Sequence, residues 1–163
     1  MIKTSSEIAA APYPRNHSRE RLRPREPENG QCENSSSQSI RVLIVDDIST
    51  NRVILSHMIR KMGAAATTCE SGEEALKILA GEKFELILMD LHMPEMSGFE
   101  CGEKIIEKRT GKLPLLIAQT ADETPTACKR TSEIGFDGHI SKPIRPNKLT
   151  GIFDLLKELS PTS

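Results

Sequence analysis

From Ile40 onward, short apolar runs alternate with stretches of helical periodicity, and few folds accommodate that rhythm. The run IRVLIV is β-branched, continuously apolar and stops at Asp46-Asp47, which suits a strand buried on both faces. ELILM, ending at Asp90, and LPLLIA have the same texture. AAATTC is a weaker strand candidate, and the short GHIS leads into Lys142-Pro143. Between the strands, Ile54, Leu55, Met58, Ile59 and Met62 recur at helical spacing, with Ser49 or Thr50 as the expected cap and Gly63 as the stop. Ser71 with Glu74 has the spacing of a capping box, opening a helix that runs through Ala80 and closes at Gly81. Further helices are expected from about Gly98 to Lys108, from near Pro125 to Gly135, and from about Asn147 to Leu159. In the last of these, Leu149, Ile152, Phe153 and Leu156 share one face.

Strand and helix thus alternate five times. Such a chain forms an α/β domain: a five-stranded parallel sheet, doubly wound, with right-handed crossovers and helices on both faces. The domain is expected over residues 40–159, with a short tail at 160–163. Residues 1–39 are of another kind. They hold Pro12, Pro14, Pro24 and Pro27, five arginines and the polar cluster Asn34–Ser39, and too few large apolar side chains to offset the entropy of ordering. This segment is expected to be a disordered tail or linker.

Charge and composition exclude several functions. The net charge is -1 with no strongly basic half, so no nucleic-acid partner is indicated. No apolar run approaches the roughly 20 residues needed to span a membrane. Cys32, Cys69, Cys101 and Cys128 lie far apart without a Cys-x-x-Cys pair, as expected of reduced thiols in a cytoplasmic protein. His57 lacks the neighbours of a kinase histidine, and His92 and His139 lack metal-ligand spacing. Gly111-Lys112 lacks the upstream glycine of a phosphate-binding loop.

In parallel α/β sheets the functional groups gather at the carboxyl ends of the strands. Here those ends carry Asp46-Asp47, Cys69-Glu70, Asp90, Thr120 and Lys142. Three carboxylates brought into one crevice repel one another and raise at least one pKa unless a cation compensates. Mg²⁺ suits such a site, because it takes oxygen ligands and binds through one or two carboxylates plus phosphate oxygens. Lys142 supplies further positive charge for phosphoryl oxygens, and Thr120 a hydroxyl donor. The reaction best served is phosphoryl transfer, which is largely positioning and charge neutralisation.

The segments VLIVDDISTNR, LILMDLHMPEMSGFE, AQTAD and GFDGHISKPI, in this order, resemble the receiver domain of two-component response regulators. The likeness spans nearly all of residues 40–159, and its DDxxxNR opening is similar to receivers attached to hybrid histidine kinases. It implies a flavodoxin-like (βα)5 fold that acts in a phosphorelay rather than as a classical enzyme. Asp90 is implied to be the phosphoacceptor, taking its phosphoryl group from a phosphohistidine on a histidine kinase or a histidine phosphotransfer protein. Asp46 and Asp47 are implied to bind Mg²⁺ with Asp90 and the main-chain carbonyl of His92. Lys142 is implied to contact the phosphoryl group, with a cis peptide before Pro143. Thr120 is the implied switch hydroxyl, and Ala121 leaves room for the phosphate. The aromatic switch residue common three positions before the lysine is replaced here by His139.

Two other functions share parts of this chemistry. Phosphohydrolases of the haloacid-dehalogenase type carry Asp-x-Asp after the first strand, whereas here the pair is adjacent and Asp90 follows the third. A phosphorylation-independent binding module on the same scaffold is the second alternative, since a fold does not fix a function. No folded segment is expected after Leu159. The chain therefore reads as a single-domain regulator or the carboxyl-terminal receiver of a larger kinase.

Overall fold

The computed structural model describes residues 39–111, 114–121 and 124–159. The tail expected over 1–39 therefore lies outside the described residues up to residue 38, as do residues 160–163. Among the described residues five strands and five helices alternate. The strands are β1 (Arg41–Val45), β2 (Ala65–Cys69), β3 (Leu86–Asp90), β4 (Leu115–Thr120) and β5 (Gly138–Ser141). The helices are α1 (Ser49–Lys61), α2 (Gly72–Gly81), α3 (Gly98–Lys108), α4 (Pro125–Ile134) and α5 (Pro146–Leu159). All strand pairs are parallel, in the order β2-β1-β3-β4-β5. This is the doubly wound arrangement expected from the alternation. The strand order reverses at β1, so a crevice opens where β1 and β3 end.

The central strands are buried on both faces, which explains their unbroken apolar runs. Period-two alternation sends Leu43, Val45, Ile87, Met89, Leu116 and Ala118 to a core completed by Ala75 of α2, Phe99 and Ile105 of α3, and Phe136. Val42, Ile44, Leu86, Leu88, Leu115 and Ile117 face the other core, closed by Leu55 and Ile59 of α1 and Leu149, Phe153 and Leu156 of α5. Each such Leu or Ile contributes about 1.5–3 kcal/mol by leaving water. β2 lies at the sheet edge with only Cys69 buried, which accounts for the weak apolar pattern of AAATTC.

Three local expectations need correction. Neither Ser49 nor Thr50 caps α1; Ile48 holds the cap position, without a side-chain bond, and its N–H donates to Asp46 Oδ1 at 2.9 Å. Asp46, two residues upstream, thus does the work of a cap. At α2, Ser71 accepts from Glu74 N as expected, but the Glu74 carboxylate accepts from Glu70 N rather than closing a box on Ser71. The complete capping box is at α3, between Ser97 and Glu100. Finally, Ile54 does not join the buried stripe of α1; it is 48% exposed.

Candidate functional site

The site begins where β1 and β3 run out. Side chains alternate along a strand, so Val42, Ile44 and then Asp46 leave the sheet toward α1 and α5, as do Leu86, Leu88 and then Asp90. Asp46 is fully buried and Asp90 nearly so, while Asp47 is exposed. Carboxylate oxygens of Asp46, Asp47 and Asp90 all lie within 4.8 Å of one another. These three side chains come from two separate strand ends and form one acidic cluster.

Lys142, just past β5, reaches back across the sheet edge. Its Nζ is 2.9 Å from Asp46 Oδ2 and 3.0 Å from Asp90 Oδ2. Its main-chain N–H donates to the Thr120 carbonyl at 2.8 Å, which ties the lysine turn to the end of β4. The Lys142–Pro143 peptide bond is cis. Thr120 is buried at the carboxyl end of β4, and Ala121 beside it is exposed. Thus the structure gathers Asp46, Asp47, Asp90 and Lys142 directly, with Thr120 linked through its backbone.

The electrostatics follow from this crowding. Burial pushes the Asp90 carboxyl above the ordinary carboxylate range. Hydrogen bonds from Lys142 and from the His92 main chain pull it back without cancelling the rise, and Asp46 adds to it. Burial alone would lower the Lys142 ammonium. Its hydrogen bonds and charge interactions with Asp46 and Asp90 outweigh that, so it is held above its usual value. Proton affinity at this site is therefore set by one cation shared between two buried acids.

Two residues of the α1 opening position Asp46. Asn51 donates from Nδ2 to both carboxylate oxygens at 3.2 Å. Arg52 Nη1 donates to the Asp46 carbonyl at 2.7 Å, and its Nη2 lies 3.6 Å from Glu70. The sequence contains both residues in the DDISTNR segment, but their roles emerge only when the first turn of α1 folds them back. On the β3 side, His92 N–H donates to Asp90 Oδ1 at 3.2 Å. The loop then doubles back: Gly98 N–H donates to Leu91 O at 3.0 Å, and a Cβ at Gly98 would sit 2.0 Å from the Asp90 carbonyl oxygen. Glycine is required there by close approach.

The donor set fits a hard divalent cation. It is all-carboxylate, clustered and partly open to solvent, with the exposed Asp47 at its rim. Other candidates fall elsewhere. His139 on β5 is exposed, with Nε2 3.7 Å from Cys128 Sγ of α4. His57 is exposed on α1. Cys69, Cys101 and Cys128 are free thiols, and Cys32 lies outside the described residues. Burial pushes the Cys69 thiol up to about 12, helped by Glu74, and Cys101 up to about 11. Neither has the thiolate character of a reactive cysteine. Among the described residues no helix is long and apolar enough to cross a membrane.

A parallel sheet whose reversal point gathers acids around a lysine defines a signalling domain of the receiver type. Comparison with known proteins leads to the same place. Residues 42–154 match the family model of the response regulator receiver domain. The chain belongs to that family and is a receiver of two-component phosphorelay signalling. Two-component response regulator ORR11 of Oryza sativa subsp. indica is 33% identical over 114 residues, covering 69% of this chain and 77% of that protein. Sensor protein GacS of Pseudomonas syringae pv. syringae is 32% identical over 121 residues, 72% of this chain but 13% of that protein. Among solved structures, chemotaxis protein CheY4 of Vibrio cholerae superposes with a TM-score of 0.68 at 27% identity, covering 72% of this chain and 98% of that one. The receiver domain of a Syntrophus aciditrophicus signal transduction histidine kinase gives 0.69 at 27% identity, covering 77% and 96%.

Proposed function

We propose that this receiver accepts a phosphoryl group on Asp90 from a phosphohistidine, on either a histidine kinase or a histidine phosphotransfer protein. The observation that carries this reading is the position of Asp90. It is a buried acid in contact with Lys142, within 4.8 Å of Asp46 and Asp47, at the carboxyl edge of the sheet. In the transfer, a carboxylate oxygen of Asp90 forms a bond to phosphorus as the phosphorus–nitrogen bond of the donor breaks. The imidazole leaves with the electron pair of that bond and is neutral once protonation balances. Asp46, Asp47 and Asp90, with the main-chain carbonyl of His92, would hold one Mg²⁺. When bound, the ion offsets the negative charge of the incoming group.

The protein's own residues do the rest. Lys142 shifts its ammonium from the carboxylates toward the phosphoryl oxygens. Asn51 and Arg52 keep Asp46 oriented. Thr120 turns its hydroxyl toward the new group, with Ala121 too small to obstruct it, and the loop it begins shifts with it. His139 occupies the position from which a ring follows that movement. The phosphorylated state then presents a changed surface to its protein partner. Any turnover is limited to self-phosphorylation from small donors and loss of the phosphoryl group to water. The buried free thiols of Cys69 and Cys101 suit a reducing compartment, and on that ground the relay is proposed to act in the cytoplasm.

The test is transfer from a histidine kinase that has labelled itself with radioactive ATP. Label should move to the wild-type chain in the presence of Mg²⁺ and be released by hydroxylamine. Retention of all label on the kinase, with several unrelated kinases as donors, would overturn the donor assignment. Steady turnover of a small phosphate ester would instead make the chain a phosphohydrolase.

A further inference from the structure

A surface groove runs between α3 and α4, with a volume of about 520 Å³. Its α3 wall is Glu103, Ile106 and Glu107, and its α4 wall is Arg130, Glu133 and Ile134. Each wall uses positions i, i+3 and i+4, which share one face of a helix. Ile106 and Ile134 are partly buried and pack against the core, so they form an apolar floor. Glu103, Glu107, Arg130 and Glu133 are exposed and form the rim.

The rim sets three acids against one cation. Glu103 and Glu107 stand one helical turn apart, and like charges at that spacing weaken a helix. Among the described residues neither makes an ion pair, and Glu133 meets only Lys129, 3.7 Å away. Both partners of that pair are well exposed, so it compensates little. Arg130 is engaged elsewhere: its guanidinium lies over the Phe99 ring, 4.1 Å from the centroid. Nor do the three glutamates converge on one point. Among the described residues, the acids close enough together to share an ion are Asp46, Asp47 and Asp90. The groove therefore does not suit a single metal ion, and its charge repels phosphates. What matches it is a set of separate cations borne around apolar side chains.

We propose that the α3–α4 groove docks a basic amphipathic helix of a protein partner. Apolar side chains at helical spacing on that helix would rest on Ile106 and Ile134. Arginines flanking them would reach Glu103 and Glu107 on one wall and Glu133 on the other. A guanidinium can bond a carboxylate through two N–H groups while its stem covers apolar surface, so arginine suits this rim better than lysine. The floor supplies burial, and the acidic rim selects the partner by charge. No residue of the groove belongs to the acidic cluster around Asp90, so this is a second surface, separate from the acceptor site.

The experiment uses the full chain and a helical peptide of roughly 18 residues, long enough to hold a helix in water. The peptide carries leucines at helical spacing flanked by arginines, and a second peptide has glutamine for every arginine. Binding is read by NMR from the methyls of Ile106 and Ile134. The arginine peptide should shift both saturably and bind about tenfold more tightly than the glutamine peptide. Glu103→Gln combined with Glu107→Gln should weaken it about fivefold, the worth of two partly exposed ion pairs. Glu73→Gln combined with Glu158→Gln removes the same charge from α2 and α5 and should leave affinity unchanged. All four glutamates are exposed, so both double variants keep the fold. Equal losses in the two would reduce the effect to overall charge and overturn the proposal. Shifts that gather around Asp47 while the two methyls stay still would overturn it too, by placing the peptide on the acidic cluster. Methyl shifts that follow the concentration of the chain alone would make a second copy the occupant and contradict it as well.

Discussion

The ammonium of Lys142 stands 3.0 Å from Oδ2 of Asp90, so the turn after β5 holds the carboxylate that ends β3. The same ammonium holds the fully buried Asp46. Removing it should leave buried acids without their counter-charge. Lys142→Met is expected to cost about 3 kcal/mol of stability, the usual result of breaking a buried pair from one side. Millimolar Mg²⁺ should recover much of that loss, because an ion that binds only the folded state stabilises it. Urea melts with and without the metal decide this; a deficit indifferent to Mg²⁺ would mean the lysine acts through packing alone.

Asp90→Asn should stabilise the protein at neutral pH in the absence of metal. The sign follows from the raised pKa of Asp90, caused first by burial. A carboxyl with a folded-state pKa above its unfolded value favours the fold below the unfolded value. That contribution is lost as pH rises through the folded value. At neutral pH the wild type therefore carries a destabilising charge that asparagine lacks, and the melting temperature should rise by a few degrees. The gap should close as pH falls through the carboxylate range. Thermal melts as a function of pH would show this, and a gap that widens toward acid would contradict the assigned direction.

Asn51→Ala removes two hydrogen bonds to the Asp46 carboxylate without touching a proposed ligand. Groups that orient metal ligands typically account for ten- to hundredfold in affinity. Mg²⁺ binding, followed by calorimetry, should weaken about tenfold while the fold is retained. Unchanged affinity would show that Ile48 N–H and Lys142 suffice to fix Asp46.

The resting position of His139 yields a further expectation. Its ring is exposed, with Nε2 3.7 Å from Cys128 Sγ. If Thr120 moves on activation, the space it leaves admits a ring from β5. Beryllofluoride with Mg²⁺ should break the His139–Cys128 contact and produce ring-to-Thr120 methyl contacts in NMR spectra. His139→Tyr should strengthen those contacts. A ring that keeps its Cys128 neighbours in both states is not part of the switch.

Much of this architecture could be read from residue patterns, because the physics involved is periodic. Runs buried on both faces mark β1, β3 and β4, and the acids and lysine that follow such runs must fall at one edge of the sheet. What escaped prediction depends on three-dimensional closeness. The work of Gly98 is invisible until the loop is seen to return so close that an added Cβ would sit 2.0 Å from the Asp90 carbonyl oxygen. Asn51 and Arg52 resemble ordinary first-turn residues of a helix until Asp46 is seen beneath them. The capping box was expected at Ser71, but a carboxylate can choose among nearby N–H groups, and Glu74 takes that of Glu70. Gln119 follows the apolar run LPLLIA, and one polar residue there reads as the boundary of the strand. The strand in fact continues through it to Thr120.

The central claim is that Asp90 accepts a phosphoryl group in a metal-dependent reaction. Incubation of the whole chain with acetyl phosphate and Mg²⁺, followed by intact mass, tests it most directly. The expected result is the gain of one phosphoryl group, no gain with a chelator present, loss of the added mass in hydroxylamine, and no gain by Asp90→Asn. A chain that stays unmodified, or an Asp90→Asn variant that is modified as fully as the wild type, would contradict it.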